Sequence, residues 1–234
     1  MQKQDLINNN PLRALSPAGE LQGAGRVSLV MARAGVGKTA ILVQIALDKM
    51  LRGKNILHVS IGQSLDKTKV WYDDIFNSIV EGKKLENMVS IREDMIRRRM
   101  IMTFNTEIFS VPKLEERLRD LVDQNIFRPD CVLVDGFDCA KTSAEELSAI
   151  RDLMASMEMN VWVSARSHRG DDRVSDSGVP APCHELDSLF DTVILLEPKP
   201  EEKSIALNVI KDTAGSGEPG KILNLDPATL MLKA

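Results

Sequence analysis

The residues with the clearest capacity for chemistry lie near the start of the chain, where positions 32–39 read A-R-A-G-V-G-K-T. We call this segment the glycine loop. Small residues such as Gly35 and Gly37 allow successive backbone N–H groups to curl around an anion. The Lys38 ammonium can reach the outer phosphates of a nucleotide, and the Thr39 hydroxyl can hold Mg²⁺. These residue types at this spacing predict a phosphate-binding loop.

The sequence on either side has the pattern that such a loop requires. An apolar run at 27–31 predicts a buried strand, and residues 41–47 predict a helix whose positive dipole end would face the same anion. Ala32 stands where the motif begins with glycine, and a turn that merely ends a strand is the alternative interpretation. The predicted nucleotide contacts are Ala34, Gly35, Val36, Gly37, Lys38, Thr39 and Ala40.

A second acidic group is expected near the metal, because Mg²⁺ is usually held by one or two carboxylates together with the phosphates. Residues 131–135 read C-V-L-V-D, an apolar strand that ends in a carboxylate. We predict that Asp135 and Thr39 are the metal ligands of the protein. A strand-end residue that caps a turn is the alternative role for Asp135.

The composition excludes several classes of protein. A chain of 234 residues can form one large domain, and 43% hydrophobic and 27% charged residues are ordinary for a soluble protein. The formal net charge of −4 gives no electrostatic reason to expect general binding to nucleic acid or to a membrane surface. Three cysteines without C-x-x-C spacing predict neither a disulfide framework nor a zinc site. Because no secretion signal or apolar span is evident, we expect a cytoplasmic protein.

The order of the predicted elements indicates an α/β fold, in which a mostly parallel sheet is flanked by helices. Predicted strands lie at 27–31, 55–61, 100–104, 131–135, 160–164 and 191–197. Predicted helices lie at 41–47, 66–81, 87–99, 111–124 and 143–157. Short connections after residue 197 predict added antiparallel strands at 204–210, 221–225 and 230–232. Residues 1–25 predict an arm or linker, and residues 26–234 a single domain.

Three other segments each have two interpretations. Arg92 and the arginines at 97–99 could contact nucleic acid, but acidic neighbours on the same helix favour a solvated face. Trp71 and Tyr72 could stack on bases, although their helical spacing favours packing. Residues 167–182 have the composition of a long mobile loop, which could contact a substrate or partner or have no role.

With these motifs the chain resembles the RecA-like ATPases, especially the KaiC-like clock ATPases and the core of the bacterial replicative helicases. The likeness covers roughly residues 20–233. It rests on the glycine loop, on CVLVD, and on the runs NVWVSARSHR, LFDTVILLEP and IALNVIKDTAGSGEPGKILNLDPATLML. The resemblance implies ATP and Mg²⁺ as ligands, and assembly with copies of the same chain as a homo-oligomer or with a regulatory protein partner. Nucleic acid is not favoured as a partner, and no membrane is expected.

The resemblance also exposes a departure beside the reacting phosphate. In that family a glutamate after the second strand orients the attacking water, but the matching stretch at 59–64 reads V-S-I-G-Q-S. Gln63 could position a water and cannot take its proton. Asp66 and Asp138 are further candidate bases that do not match the motif. We therefore assign catalytic roles to Lys38, Gln63 and Asp135 and expect slow hydrolysis.

Two more family positions are informative. The γ-phosphate sensor falls within 165–169, where Arg166 or His168 could serve, and an exposed cluster without a catalytic role is the alternative. In hexameric members a lysine and an arginine near the C-terminal hairpin reach the neighbouring nucleotide. Lys211 matches the lysine, whereas Thr213 stands at the arginine position. The missing arginine predicts weak coupling between subunits.

A different class of ATPase stays open as an alternative. Dimeric ATPases of the ParA/MinD type place a signature lysine where this chain has Arg33, and arginine is not equivalent to lysine there. The predicted antiparallel C-terminal strands favour the RecA-like interpretation. A small-molecule kinase ranks last, because the arginines of the 167–182 segment do not form a recognisable lid pattern.

Overall fold

The computed structural model describes residues 24–81, 88–167, 170–213 and 219–233. The predicted arm lies outside these ranges apart from Ala24 and Gly25. The elements of the described ranges are β1 (Val27–Ala32), α1 (Lys38–Leu51), β2 (Ile56–Ile61), α2 (Leu65–Val80), α3 (Met88–Arg97), β3 (Arg99–Phe104), α4 (Val111–Asp123), β4 (Cys131–Phe137), α5 (Ala144–Ser156), β5 (Asn160–Arg166), a 3₁₀ helix (His184–Leu189), β6 (Thr192–Lys199), β7 (Ser204–Asp212) and β8 (Ile222–Leu225).

The strands of the described residues form one sheet in the order β3-β2-β4-β5-β1-β6-β7-β8. Neighbouring strands from β3 to β6 run parallel, whereas β7 and β8 pair antiparallel at one edge. The predicted α/β fold, with a mostly parallel sheet and antiparallel strands at its C-terminal end, is confirmed at this level. The predicted strand at 230–232 is wrong, because the described residues there form only an isolated bridge, between Leu225 and Leu232. Strand β5 lies between β1 and β4, so these two strands do not touch.

Helices cover both faces of the sheet, which explains the continuous apolar runs of its central strands. Residues of α1, α2 and α3 pack on one face. Residues of α4, α5 and the 3₁₀ helix pack on the other. All six residues of β1 and all six of β2 are buried. None of the described helices is long and apolar enough to cross a membrane.

Strand β4 continues two residues beyond its predicted end and is irregular where it passes Asp135. The register with β5 shifts between Val134 and Phe137. Gly136 has φ of +88°, and a Cβ atom there would lie 2.8 Å from the Ile61 carbonyl oxygen. Only glycine combines that backbone angle with that close approach. Asp135 lies near the carboxyl end of β4, on the side of the sheet where the glycine loop also lies.

The described part of the segment at 167–182 contains local backbone pairing. Arg173 and Ala181 form a backbone hydrogen bond of 2.9 Å, and Val174 pairs with Pro180 in an isolated bridge. Val179 is fully buried in the core. A few apolar side chains therefore suffice to anchor a segment whose composition is mostly polar. Residues 168 and 169 lie outside the described ranges.

Candidate functional site

The glycine loop joins the carboxyl end of β1 to the amino end of α1. Gly35 and Gly37 have φ of +79° and +109°, a region that residues with a side chain rarely adopt. A Cβ atom at Gly37 would lie 2.6 Å from Leu230 Cδ1, whereas one at Gly35 would meet no atom within 4 Å. The loop therefore needs glycine at 37 both for its backbone angle and for the approach of the C-terminal segment.

The Lys38 side chain folds back along the glycine loop. Its Nζ donates hydrogen bonds of 3.1 Å to the carbonyl oxygens of Ala32 and Arg33. Burial lowers the pKa of Lys38, the nearby Asp135 carboxylate opposes this shift, and the Arg166 guanidinium adds to it. An ammonium group held in this way beside exposed backbone is suited to bind an anion.

Hydroxyl groups bind both oxygens of the Asp135 carboxylate. The Thr39 hydroxyl donates to Oδ2 at 2.7 Å, and the Ser164 hydroxyl donates to Oδ1 at 2.5 Å. Ser164 in turn accepts a 2.9 Å hydrogen bond from the Gly136 backbone N–H. The predicted metal ligands Thr39 and Asp135 are therefore brought together. Ser164 on β5 binds the second oxygen of the same carboxylate. Oxygen donors of this kind match the preference of Mg²⁺.

A cavity of about 300 Å³ lies beside the glycine loop. Its polar wall consists of Gly35, Gly37, Lys38, Thr39, Gln63, Lys67, Thr68 and Asp135. Its apolar wall consists of Val36, Trp71, Ile75, Ile205, Pro227, Ala228 and Leu230. Cavities of this size with both kinds of lining are typical of small-molecule and cofactor sites.

Of the three candidate groups for water activation, Gln63, Asp66 and Asp138, only Gln63 lines this cavity. Gln63 is exposed in the turn between β2 and α2 and lines the cavity. The Asp66 side chain is 93% exposed, lies 3.9 Å from Lys69 and does not line the cavity. Asp138 lines a separate cavity of about 140 Å³. Among the described residues that line the larger cavity, Asp135 is the one carboxylate.

Some predicted contacts lie outside the cavity lining. The Ala40 side chain is fully buried in α1, so it could offer a ligand only its backbone. Ala34 is exposed and is not part of the lining. Arg166 ends β5 opposite Ala32 and is exposed, close enough to affect Lys38 through its charge. His168 lies outside the described residues.

Most of the wall that α2 provides was not predicted from the sequence. Lys67, Trp71 and Ile75 are spaced by four residues, so they follow one face of the helix into the cavity. The prediction that Trp71 and Tyr72 are packing residues is confirmed, because Tyr72 is 2% exposed and Trp71 packs against the core. Trp71 is half-buried and lines the cavity. The four-residue spacing was the available signal, but it did not show which face of α2 meets the glycine loop.

A buried polar pair lies behind the cavity, between β2 and α2. His58 Nδ1 and Tyr72 Oη are 2.9 Å apart, and both side chains are buried. Burial lowers the pKa of His58 to about 4, Asp135 opposes this shift, and Arg99 contributes to it. Arg99 lies with its guanidinium 4.3 Å from the Tyr72 ring centroid. The imidazole is therefore neutral at physiological pH.

Several residues that could contact nucleic acid or a neighbouring subunit have partners within the chain. Arg92 binds Asp73 at 2.5 Å, and Arg98 binds Asp94. These contacts support the predicted helical face for Arg92 and Arg98, but the prediction is wrong for Arg99, which begins β3 and packs on Tyr72. The Lys211 Nζ donates to the Asp187 carboxylate at 3.0 Å.

The described residues contain no group of three or more His, Cys, Asp or Glu side chains that could hold a metal ion. Thr39 and Asp135 would therefore provide only part of a Mg²⁺ shell, and phosphate oxygens and water would have to complete it. Comparison of the sequence with protein-family models found no match, and neither did comparison with curated proteins. The geometry of the cavity is thus the basis for assigning a function.

Proposed function

We propose that the protein binds ATP with Mg²⁺ in the cavity beside the glycine loop and hydrolyses it slowly. The observation that carries this proposal is the 2.7 Å contact between Thr39 and Asp135, next to Lys38 and the left-handed glycines. Backbone N–H groups that can bind an anion, the Lys38 ammonium, and the oxygen ligands of Thr39 and Asp135 lie side by side. MgATP requires that combination, and a turn that merely ends a strand does not.

Each polar group has a task in this proposal. Backbone N–H groups at the amino end of α1 bind the phosphates, and the helix dipole favours their negative charge. Lys38 exchanges its two carbonyl partners for phosphate oxygens. Thr39 and Asp135 would hold Mg²⁺, which would supply positive charge beside the phosphate oxygens. Lys67 adds a positive charge to the same wall.

The apolar wall supports binding of a nucleobase. Trp71 is half-buried and offers an aromatic surface for stacking, while Pro227 and Leu230 supply aliphatic contacts. A ligand with both a polyphosphate and a flat apolar part therefore suits the cavity better than inorganic phosphate does.

Slow turnover follows from the neutral side chain at Gln63. Its amide can orient a water molecule by hydrogen bonding, but it cannot accept the proton as a carboxylate would. A long-lived ATP-bound state suits a regulatory switch, and self-assembly is the form that the RecA-like resemblance suggests. The contact of Lys211 with Asp187 and the presence of Thr213 in place of arginine support weak coupling between subunits.

Calorimetry with ATP, in Mg²⁺ and in EDTA, tests the binding proposal, and absence of binding at millimolar ATP would refute it. Light scattering after size-exclusion chromatography, with and without ATP, tests the assembly. A ring or filament supports RecA-like assembly. An ATP-dependent dimer would instead favour the ParA/MinD type of ATPase.

A further inference from the structure

A compact turn near the C-terminus forms part of the apolar wall. This C-terminal turn begins at Asp226 and ends at Met231, and these residues are joined by a 2.8 Å backbone hydrogen bond. The Asp226 carboxylate also accepts hydrogen bonds from the backbone N–H groups of Ala228 and Thr229, at 3.0 and 2.9 Å. The turn therefore holds its own shape, and its position against the glycine loop must come from other contacts.

Leu230 provides the first of these contacts. Its backbone φ is +56°, an unusual value for a residue with a bulky side chain. Such strain persists only where the surroundings enforce it, and it is often found at ligand sites. The side chain is 5% exposed and packs on Gly37, so tightly that a methyl group on Gly37 would overlap Leu230 Cδ1.

Gln44 provides the second contact. This residue lies in the middle of α1, where its neighbours are apolar, and it is fully buried. Its side-chain Nε2 donates a 2.9 Å hydrogen bond to the Leu230 carbonyl oxygen. A buried amide is costly unless it is hydrogen-bonded, so packing alone does not explain a glutamine at this position. Leu230 is thus attached both to the glycine loop and to the helix that follows it.

We propose that Gln44 is a positioning residue for the nucleobase. By holding Leu230 against Gly37, it fixes the apolar wall at the distance from the glycine loop that the base requires. This inference rests on the proposed function. It predicts that Gln44 affects binding of the nucleobase and not binding of the phosphates. Gln44 itself does not line the cavity.

The Gln44→Met variant tests this role, because methionine has a similar length and shape and lacks the amide donor. Calorimetry would compare ATP with tripolyphosphate, which has no base, on the wild type and the variant. We expect the affinity for ATP to fall by up to about tenfold, the limit set by one intramolecular hydrogen bond, and that for tripolyphosphate to change less than about twofold. Leu232→Ala is the matched control, since Leu232 lies in the same segment, is 45% exposed and does not line the cavity.

Each other outcome has a definite meaning. No change in ATP affinity, or an equal loss for both ligands, overturns the role of Gln44. So does a wild type that binds tripolyphosphate as tightly as ATP. A wild type that binds neither ligand refutes the proposed function instead. If circular dichroism shows that Gln44→Met does not fold, Gln44→Leu replaces it, with the same selective loss expected and the same results contradicting it.

Discussion

The hydroxyl of Thr39 donates a 2.7 Å hydrogen bond to the carboxylate of Asp135, although 96 positions separate the two residues in the chain. Thr39 lies in the first turn of α1, and Asp135 lies near the end of β4. The strands that lead to them are not neighbours, because β5 lies between. The contact is therefore a product of the assembled sheet, and it places both predicted metal ligands at one point.

Lys38→Ala should reduce ATP affinity by about 100-fold or more, because the variant loses charge-assisted hydrogen bonds to the phosphates. The shape of the glycine loop depends on its backbone, so the fold should be retained. Calorimetry and circular dichroism measure the two effects. Arg33→Ala removes a neighbouring exposed cation outside the cavity lining and should bind ATP nearly as the wild type does. Unchanged affinity in Lys38→Ala would mean that the glycine loop is not the phosphate site.

Asp135→Asn should weaken ATP binding about tenfold or more in Mg²⁺ and much less in EDTA, since the lost charge belongs to the metal shell. Paired titrations under the two conditions measure this difference. Ser164→Ala keeps the carboxylate and removes its 2.5 Å hydrogen bond, together with the acceptor of the Gly136 N–H, so a smaller loss in Mg²⁺ is expected. Equal losses with and without Mg²⁺ would assign Asp135 a purely structural role.

The wild type should hydrolyse ATP below the roughly 1 to 10³ per second that is typical of enzymes. Gln63→Ala should lower this rate further without changing ATP affinity. Gln63→Glu should raise the rate by up to about 10²-fold, because a carboxylate at the same position can accept the proton. Phosphate release under saturating ATP measures all three rates.

Gly62, which precedes Gln63 in the stretch that matches the family glutamate, could not be replaced by glutamate without strain. Gly62 has φ of +74°, and a Cβ atom there would lie 2.7 Å from the Thr106 hydroxyl oxygen. Asp66→Ala is the control for the turnover measurements, since this exposed side chain lies outside the cavity lining. A rate that falls in Asp66→Ala or Asp138→Ala but not in Gln63→Ala would contradict the role given to Gln63.

ATP should change the tryptophan fluorescence of the protein, because Trp71 lines the apolar wall. Trp162, the other tryptophan, is 7% exposed and does not line the cavity, so it provides a constant background. The ATP-dependent change should disappear in Trp71→Phe, and tripolyphosphate should not produce it in the wild type. A response that survives in Trp71→Phe would show that the base lies elsewhere.

Stability should fall in mild acid because of His58. Its pKa is about 4 in the folded protein and about 6.5 when unfolded, so folding favours the neutral imidazole. This contribution is complete above pH 6.5 and is lost as the pH falls toward 4. The loss amounts to about 2 kcal/mol at pH 5 and about 3 kcal/mol below pH 4.

Urea unfolding of the wild type and of His58→Gln, at pH 7 and pH 5, isolates this contribution from that of the carboxylates. The variant should lose less stability between the two pH values than the wild type does. Tyr72→Phe keeps the buried imidazole and should retain most of the wild-type dependence. Equal pH dependence in the wild type and His58→Gln would show that His58 does not titrate as described.

The strands and the glycine loop could be predicted from sequence because their signals are local. Residues 27–31 and 131–135 are apolar throughout, and a strand that is buried on both faces requires this. The spacing of Gly35, Gly37, Lys38 and Thr39 reflects the geometry of one loop. These features depend on neighbours in the chain, so the sequence alone reveals them.

The walls of the cavity could not be predicted, because they depend on which distant elements meet. Nothing near Ser164 shows that its strand lies between β1 and β4, where its hydroxyl reaches Asp135. Trp71 and Leu230 reach the glycine loop from α2 and from the C-terminal turn, and their own sequence patterns indicate only packing. The same limitation applies to Val179, a single apolar residue whose burial anchors a mostly polar segment.

Because Ser164 on β5 and Thr39 on α1 both bind Asp135 on β4, the site exists only while these three elements are joined. Local opening of any one of them separates the groups that a ligand must contact together. A ligand that binds Thr39 and Asp135 raises the free energy of each such opening by mass action. Amide hydrogen exchange in α1, β4 and β5 should therefore slow in concert when MgATP is added, including at amides far from the cavity.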